Sequence, residues 1–239
     1  MSSPKFLSIP ENRKRFALIL VAVIILFFFI LIIRSCRRPE KANTKDYLLK
    51  LSSPVPEVRL DGALGLERLG VKSAVPEIEK VFLNDSDERV RRAAAYAILV
   101  LDQEKFLSFL KSPTEEVKII ALETLARKDK EKAYSYLEQA LLDPSLSIRR
   151  KGLSLLIQVS AKEAVGPALC LAEKSGEDTP LRIEALEFLG REAGPEILPR
   201  LKPVFTGWAE DQAVRRSAGD AIDAIKKREE ESKKSPVSQ

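Results

Sequence analysis

Six basic residues, Arg59, Arg91, Lys118, Arg149, Arg182 and Arg215, recur along the chain, each directly after an apolar residue. At Arg91-Arg92, Arg149-Arg150 and Arg215-Arg216 the basic position is doubled. Paired arginines on a helix form a common phosphate-binding device. A regular column of them suits two other tasks: pairing with acids inside the fold, or receiving an acidic partner along one edge. Other chemistry is scarce. The chain has no histidine, which removes the commonest general base, proton shuttle and metal ligand together. Most nucleophile-plus-base constellations go with it. The two cysteines, Cys36 and Cys170, sit in very different settings and give neither a zinc spacing nor a disulfide framework. No catalytic, metal-binding or cofactor-binding residue is assigned, and no cofactor is expected.

The column implies the elements that carry it. The apolar-basic pairs are Val58-Arg59, Val90-Arg91, Val117-Lys118, Ile148-Arg149, Leu181-Arg182 and Val214-Arg215, at spacings of 32, 27, 31, 33 and 33 residues. Periods of this length mark stacked helical repeats. Three residues before the apolar position stand Asp87, Thr114, Ser145, Asp178 and Asp211, all good N-cap types. The first copy has Val55 there, with Ser53-Pro54 as an equivalent start. Four residues after it come Gly62, Ala94, Ala121, Gly152, Ala185 and Ala218, small enough for two helices to cross closely. Eight after it come Leu66, Ile98, Leu125, Leu156, Leu189 and Ile222, which continue a buried stripe at helical spacing.

Each such helix is followed by a break and a second apolar segment, as in AVPEIEKVFL (74–83) and KAYSYLEQALL (132–142). The second unit is shortened to little more than Phe106-Leu107-Ser108-Phe109-Leu110. One helix pair cannot bury its own face, but stacked pairs make a continuous core. The expected fold is all-α: a solenoid of stacked antiparallel helix pairs. Residues of the second helices, among them Glu79, Ser135, Glu138 and Gln139, are candidates for its binding wall. Cys170, within Ala168-Leu169-Cys170-Leu171-Ala172, reads as core packing, and Trp208 as a cover for the end of the array.

PEVRLDGALGLERLGVKSAVPEIEKV (56–81) carries E-V-R, a small-residue helix and A-V-P in order. This pattern resembles HEAT-like repeats, and more narrowly the short repeats of the phycobilisome-lyase type, over roughly residues 46–228. The resemblance implies architecture more than activity. Deoxyhypusine hydroxylase, a HEAT-like protein, holds two irons with His-Glu pairs, which a chain without histidine cannot do. Phycobilisome-lyase subunits act on chromophores, an activity the repeat alone does not carry. HEAT-like DNA glycosylases use a basic face with aromatic side chains.

Charge and hydropathy divide the chain. The net charge of +5 comes from residues 1–38, whose seven basic residues and one acid give +6, against −1 for the rest. Residues 39–239 hold 33 basic and 34 acidic residues, and 6% of the chain is aromatic, so no nucleic-acid partner is expected. FALILVAVIILFFFILII (16–33) is 18 residues without a polar side chain. At about 1.5 Å per residue it reaches roughly 27 Å, which suits a transmembrane helix. The expected organisation is a basic tail (1–15), a membrane-spanning helix (16–33), a juxtamembrane linker (34–44), a solenoid of about five helix pairs plus capping helices (45–228) and a disordered tail (229–239). The basic cluster before the span favours a single-pass protein with the solenoid outside the cytoplasm, periplasmic in a bacterium. Ile33-Arg34-Ser35-Cys36 offers a second mode, lipidation at Cys36 in a loose lipobox that Arg34 interrupts. The function expected is that of a membrane-anchored scaffold binding a protein or peptide, of undetermined oligomeric state, and not that of an enzyme.

Overall fold

The computed structural model describes residues 40–234, and among them all regular structure is helical. A leading helix, α1 (Glu40–Lys50), precedes five helix pairs and a closing helix. The pairs are α2 (Pro56–Arg68) with α3 (Val75–Asn84), α4 (Glu88–Leu101) with α5 (Gln103–Ser108), and α6 (Glu115–Lys128) with α7 (Lys130–Ala140). α8 (Leu146–Val159) with α9 (Ala161–Glu173) and α10 (Thr179–Glu192) with α11 (Leu198–Thr206) follow, and α12 (Gln212–Lys234) closes the array.

Except for α2, whose cap position holds Val55 without a side-chain bond, the first helices and the closing helix start where a cap residue stands. Asp87, Ser145, Asp178 and Asp211 each accept a hydrogen bond from a backbone N–H of the first turn, at 2.8, 3.4, 3.0 and 2.7 Å. Thr114 holds the cap position of α6 without a side-chain bond. The breaks inside units two to four are single residues. Asp102, Asp129 and Ser160 each end one helix with non-helical backbone and cap the next with the side chain. α2 ends differently, on Gly70, whose φ of +68° is the left-handed conformation that closes a helix.

The small-residue column and the stripe behind it are buried, and their side chains join one hydrophobic core running the length of the array. Gly65 of α2 shows how close the crossings are: a Cβ there would lie 2.2 Å from the Tyr47 ring of α1. The shortened second unit is completed by aromatics. Phe106 is fully buried, and the Phe82 and Phe109 rings meet edge to face with centroids 5.0 Å apart.

Several expectations need correction. Residues 16–33 and Cys36 lie outside the described residues. Among the described residues no helix is long and apolar enough to cross a membrane. The only one of spanning length is α12, whose 23 residues carry charge along its whole course; the others have 14 residues or fewer, against the ~20 apolar residues a span needs. The single-pass membrane assignment, with the solenoid outside the cytoplasm, is therefore withdrawn. α1 begins at Glu40, inside the stretch read as linker, and α12 runs to Lys234, past the expected end of the solenoid. Arg228 explains the extra turns: its guanidinium donates to the Gly190 and Ala193 carbonyls at 2.8 Å each, capping the end of α10. Cys170 is exposed, since α9 buries Ala164, Ala168, Leu171 and Ala172 and Cys170 falls on the far side of that stripe. Trp208 covers nothing. The turn after α11 holds it in solvent, 91% exposed.

Candidate functional site

Each basic residue of the column sits one position after an apolar anchor, buried in every copy but the first, where Val58 is partly exposed, and in the first turn of its helix. Its head lies beside the turn that leads into the helix. Arginine has donors enough to use that turn and still reach further. Arg59 Nη1 donates to the Ser53 and Pro54 carbonyls at 2.9 and 3.2 Å. Arg149 Nη1 does the same with Asp143 and Pro144, at 2.9 Å each, and Arg91 Nη1 donates to the Asp85 carbonyl at 2.6 Å.

The remaining donors face the following repeat. Arg59 clasps Asp85 through two bonds of 2.6 and 2.7 Å, and Arg91 pairs with Glu116. Lys118, with one compact charge, reaches only Asp143, at 2.6 Å. Arg149 holds Glu177 Oε1 at 2.5 and 2.9 Å. Arg182, 2% exposed, binds the Ala172 carbonyl twice and Glu210 at 2.7 Å. Each acid lies in the turn before the next first helix or, at Glu116, in that helix's first turn, so every pair ties one repeat to its successor. Arg215 differs: among the described residues it has no carboxylate or carbonyl partner, and its Nε, like that of Arg91, is buried without an acceptor.

The environment keeps three of these acids, Asp85, Asp143 and Glu177, ionised. Asp85 is held below the usual carboxylate range, chiefly by Arg59. Burial alone would push Glu177 up. The Arg149 bonds, the Asp178 N–H and Lys174 outweigh it and bring the carboxyl down to about 2. Burial opposes Lys118 and the Ser145 N–H at Asp143 in the same way, and again the hydrogen bonds win. Five of the six basic groups thus spend their charge inside the array.

The doubled positions are engaged too. Arg92 pairs with Glu88 and Glu123, and Lys151 meets Glu123 at 2.8 Å, forming a second line of ion pairs across the first helices. Arg150 reaches Asp178 and Glu184. Arg216 lines a groove at the C-terminal end of the array.

The residues proposed for a binding wall do not come together as one surface. Glu79 is paired with Lys105 at 2.7 Å, whereas Ser135, Glu138 and Gln139 are exposed on α7. Glu138 alone of these borders a groove, of about 360 Å³, between α7 and α9, with Leu142, Pro167, Cys170, Leu171 and Lys174. Leu142 is 82% exposed there. Sequence reasoning passed over it because Leu141-Leu142 reads as the tail of an apolar segment. Only Leu141 is needed for the stripe, and Leu142 falls outward. Among the described residues no group of three or more Cys, Asp or Glu side chains is arranged to hold a metal ion.

Residues 45–112 match the family model for HEAT repeats, a stretch that runs from α1 through α5. No curated protein sequence matches the chain significantly. Solved structures similar to it include human deoxyhypusine hydroxylase in complex with glycerol, with 18% identity, coverage of 79% of this chain and 75% of that one, and a TM-score of 0.42. An engineered protein has 18% identity, coverage of 77% and 96%, and a TM-score of 0.39. The complex of CpcE and CpcF of phycocyanin lyase from Nostoc sp. PCC7120 has 17% identity, coverage of 76% and 94%, and a TM-score of 0.31.

Proposed function

We propose that the array is a protein-binding scaffold, and that the groove between α7 and α9 receives an apolar segment of a partner. The observation that carries this reading is Leu142, 82% exposed at the mouth of a groove whose lining is mostly apolar. A leucine held in water by a rigid frame costs free energy that a partner recovers on burying it, about 1.5–3 kcal/mol for a complete side chain. The frame loses little entropy on binding, because its helices are fixed by one continuous core and by ion pairs between successive repeats. Gly166 leaves the groove open: a Cβ there would meet no atom within 4 Å. Glu138 and Lys174, one of each charge, flank the site and would orient a partner without selecting a polyanion.

The basic column contributes to this scaffold by holding the repeats in register. Arg59, Arg91, Lys118, Arg149 and Arg182 are structural under this reading, and acidic partners find no free ladder at those five positions.

The test is Leu142→Asp in the full chain. The side chain lies in solvent, so the thermal midpoint is expected to stay within a degree or two, while retention of a bound protein falls about tenfold or more. A variant that retains every protein the original retains would remove the groove from consideration.

A further inference from the structure

We infer that the C-terminal end of the array docks a partner protein's helix introduced by a carboxylate, which gives Arg215 the acid that each following repeat gives to the rung before it. The inference concerns a different surface from the Leu142 groove and stands independently of it.

The repeat itself specifies the missing group. Asp85, Glu116, Asp143, Glu177 and Glu210 each meet a basic residue 25 to 28 positions earlier in the chain. Arg215 occupies the same place in α12, with the same buried anchor before it in Val214, and has no such acid. Its Nε is already out of water, so the desolvation that a carboxylate pair usually demands is partly complete.

At the same end of the array, bordered by the next residue Arg216, lies an apolar groove of about 740 Å³ between α11 and α12. Leu198, Phe205 and Ile222 line it. Phe205 lies over Gly219, where a Cβ would sit 3.0 Å from the ring, and is still 47% exposed. Lys202, Arg216 and Lys226 at this groove outnumber Asp220 and Asp223. The Arg216 guanidinium and two lysines on an apolar trough, with Arg215 one residue before Arg216 in the first turn of α12, match an amphipathic helix with an acid at its start.

Other occupants fit less well. Residues 235–239 contain no acidic side chain, and residues 1–39 contain only Glu11. A second copy stacked head to tail would bring Ser52-Ser53-Pro54 to the place of the acid, and its α1 already packs over the glycines of its α2.

Trp208, the chain's single tryptophan, stands in the turn between α11 and α12 and reports on this end alone. The probe is a synthetic peptide of residues 176–206, which carries Glu177, a first and a second helix, and no tryptophan. Titrated into the full chain, it is expected to shift Trp208 emission to the blue in a saturable way. The Glu177→Gln peptide should bind about tenfold more weakly, and so should the original peptide to the Arg215→Gln protein. The Arg215→Glu protein should recover binding with a Glu177→Lys peptide, a result that lost folding cannot imitate. Leu142→Asp should leave all these affinities unchanged, which separates this site from the groove on α7 and α9. The inference is overturned if the peptide gives no shift, if the Gln and Glu peptides bind equally, or if the shift grows with protein concentration alone. The last would make the occupant a second copy.

Discussion

At the scale of single residues, the ion pairs between repeats set a sharp dependence on acid. A half-buried pair contributes little net stability compared with an apolar contact of the same shape, yet removing one partner is costly because the other is left unpaired. Glu177 has no exposed side-chain surface and holds Arg149, Lys174 and the Asp178 N–H. Glu177→Gln should therefore lower the unfolding free energy by about 3 kcal/mol, read from urea titration. Its folded pKa of about 2 lies below the ~4.3 of an unfolded glutamate. The stabilisation is complete above the unfolded value and is lost as pH falls from about 5 toward 2, with Asp85 and Asp143 adding in the same direction. A urea midpoint that falls no faster in the wild type than in Glu177→Gln across that window would refute the assignment. The sequence made the basic column legible and obscured the acids that meet it. The basic residues stand at a fixed offset from a helix start, whereas the acids sit at differing distances from the next anchor, from five residues before it at Asp85, in a turn, to one before it at Glu116, inside α6.

At the scale of elements, glycine decides where helices touch. A Cβ at Gly65 would strike the Tyr47 ring, so Gly65→Ala must expel the tyrosine or move α1. Its expected cost is about 1–3 kcal/mol, with faster amide exchange confined to α1 and α2 as the check. The Arg228 clamp makes a similar claim for the other end. Arg228→Ala should cost about 1–2 kcal/mol and raise exchange in the last two turns of α12 before any other helix responds. First helices were the most legible elements, since small residue and stripe recur in all six copies and a cap-type residue in five. Cys170 and Trp208 were misread for opposite reasons. Cys170 stands in an apolar run with no polar neighbour to mark the outward face. Trp208 is a large apolar residue that the turn after α11 leaves without a partner among the described residues.

At the scale of the whole molecule, cohesion is a chain of nearest-neighbour contacts. Its thinnest link is the second unit, where α5 has six residues and the Phe82–Phe109 contact bridges the gap. Phe109→Ala removes that bridge and should cost about 3–5 kcal/mol, enough to uncouple the units before it from those after it. Unfolding followed by circular dichroism would then show two transitions in place of one. A single transition shifted to lower denaturant would mean that the remaining core couples the halves without the bridge. That the array is one body was legible from the period of the repeat. Which joint is weakest was legible only in part, from the 27-residue spacing, because the compensating ring contact cannot be seen in a one-dimensional pattern.

Because each rung's acid is written about 26 residues after its base, a nascent chain always leaves its newest arginine waiting. A polypeptide grows from its N-terminus at roughly 5–20 residues per second, so a unit's staple closes a second or more after its own helices emerge. Consolidation trails translation by one repeat, and a pause after any first helix would hold an unneutralised cation at the growing edge.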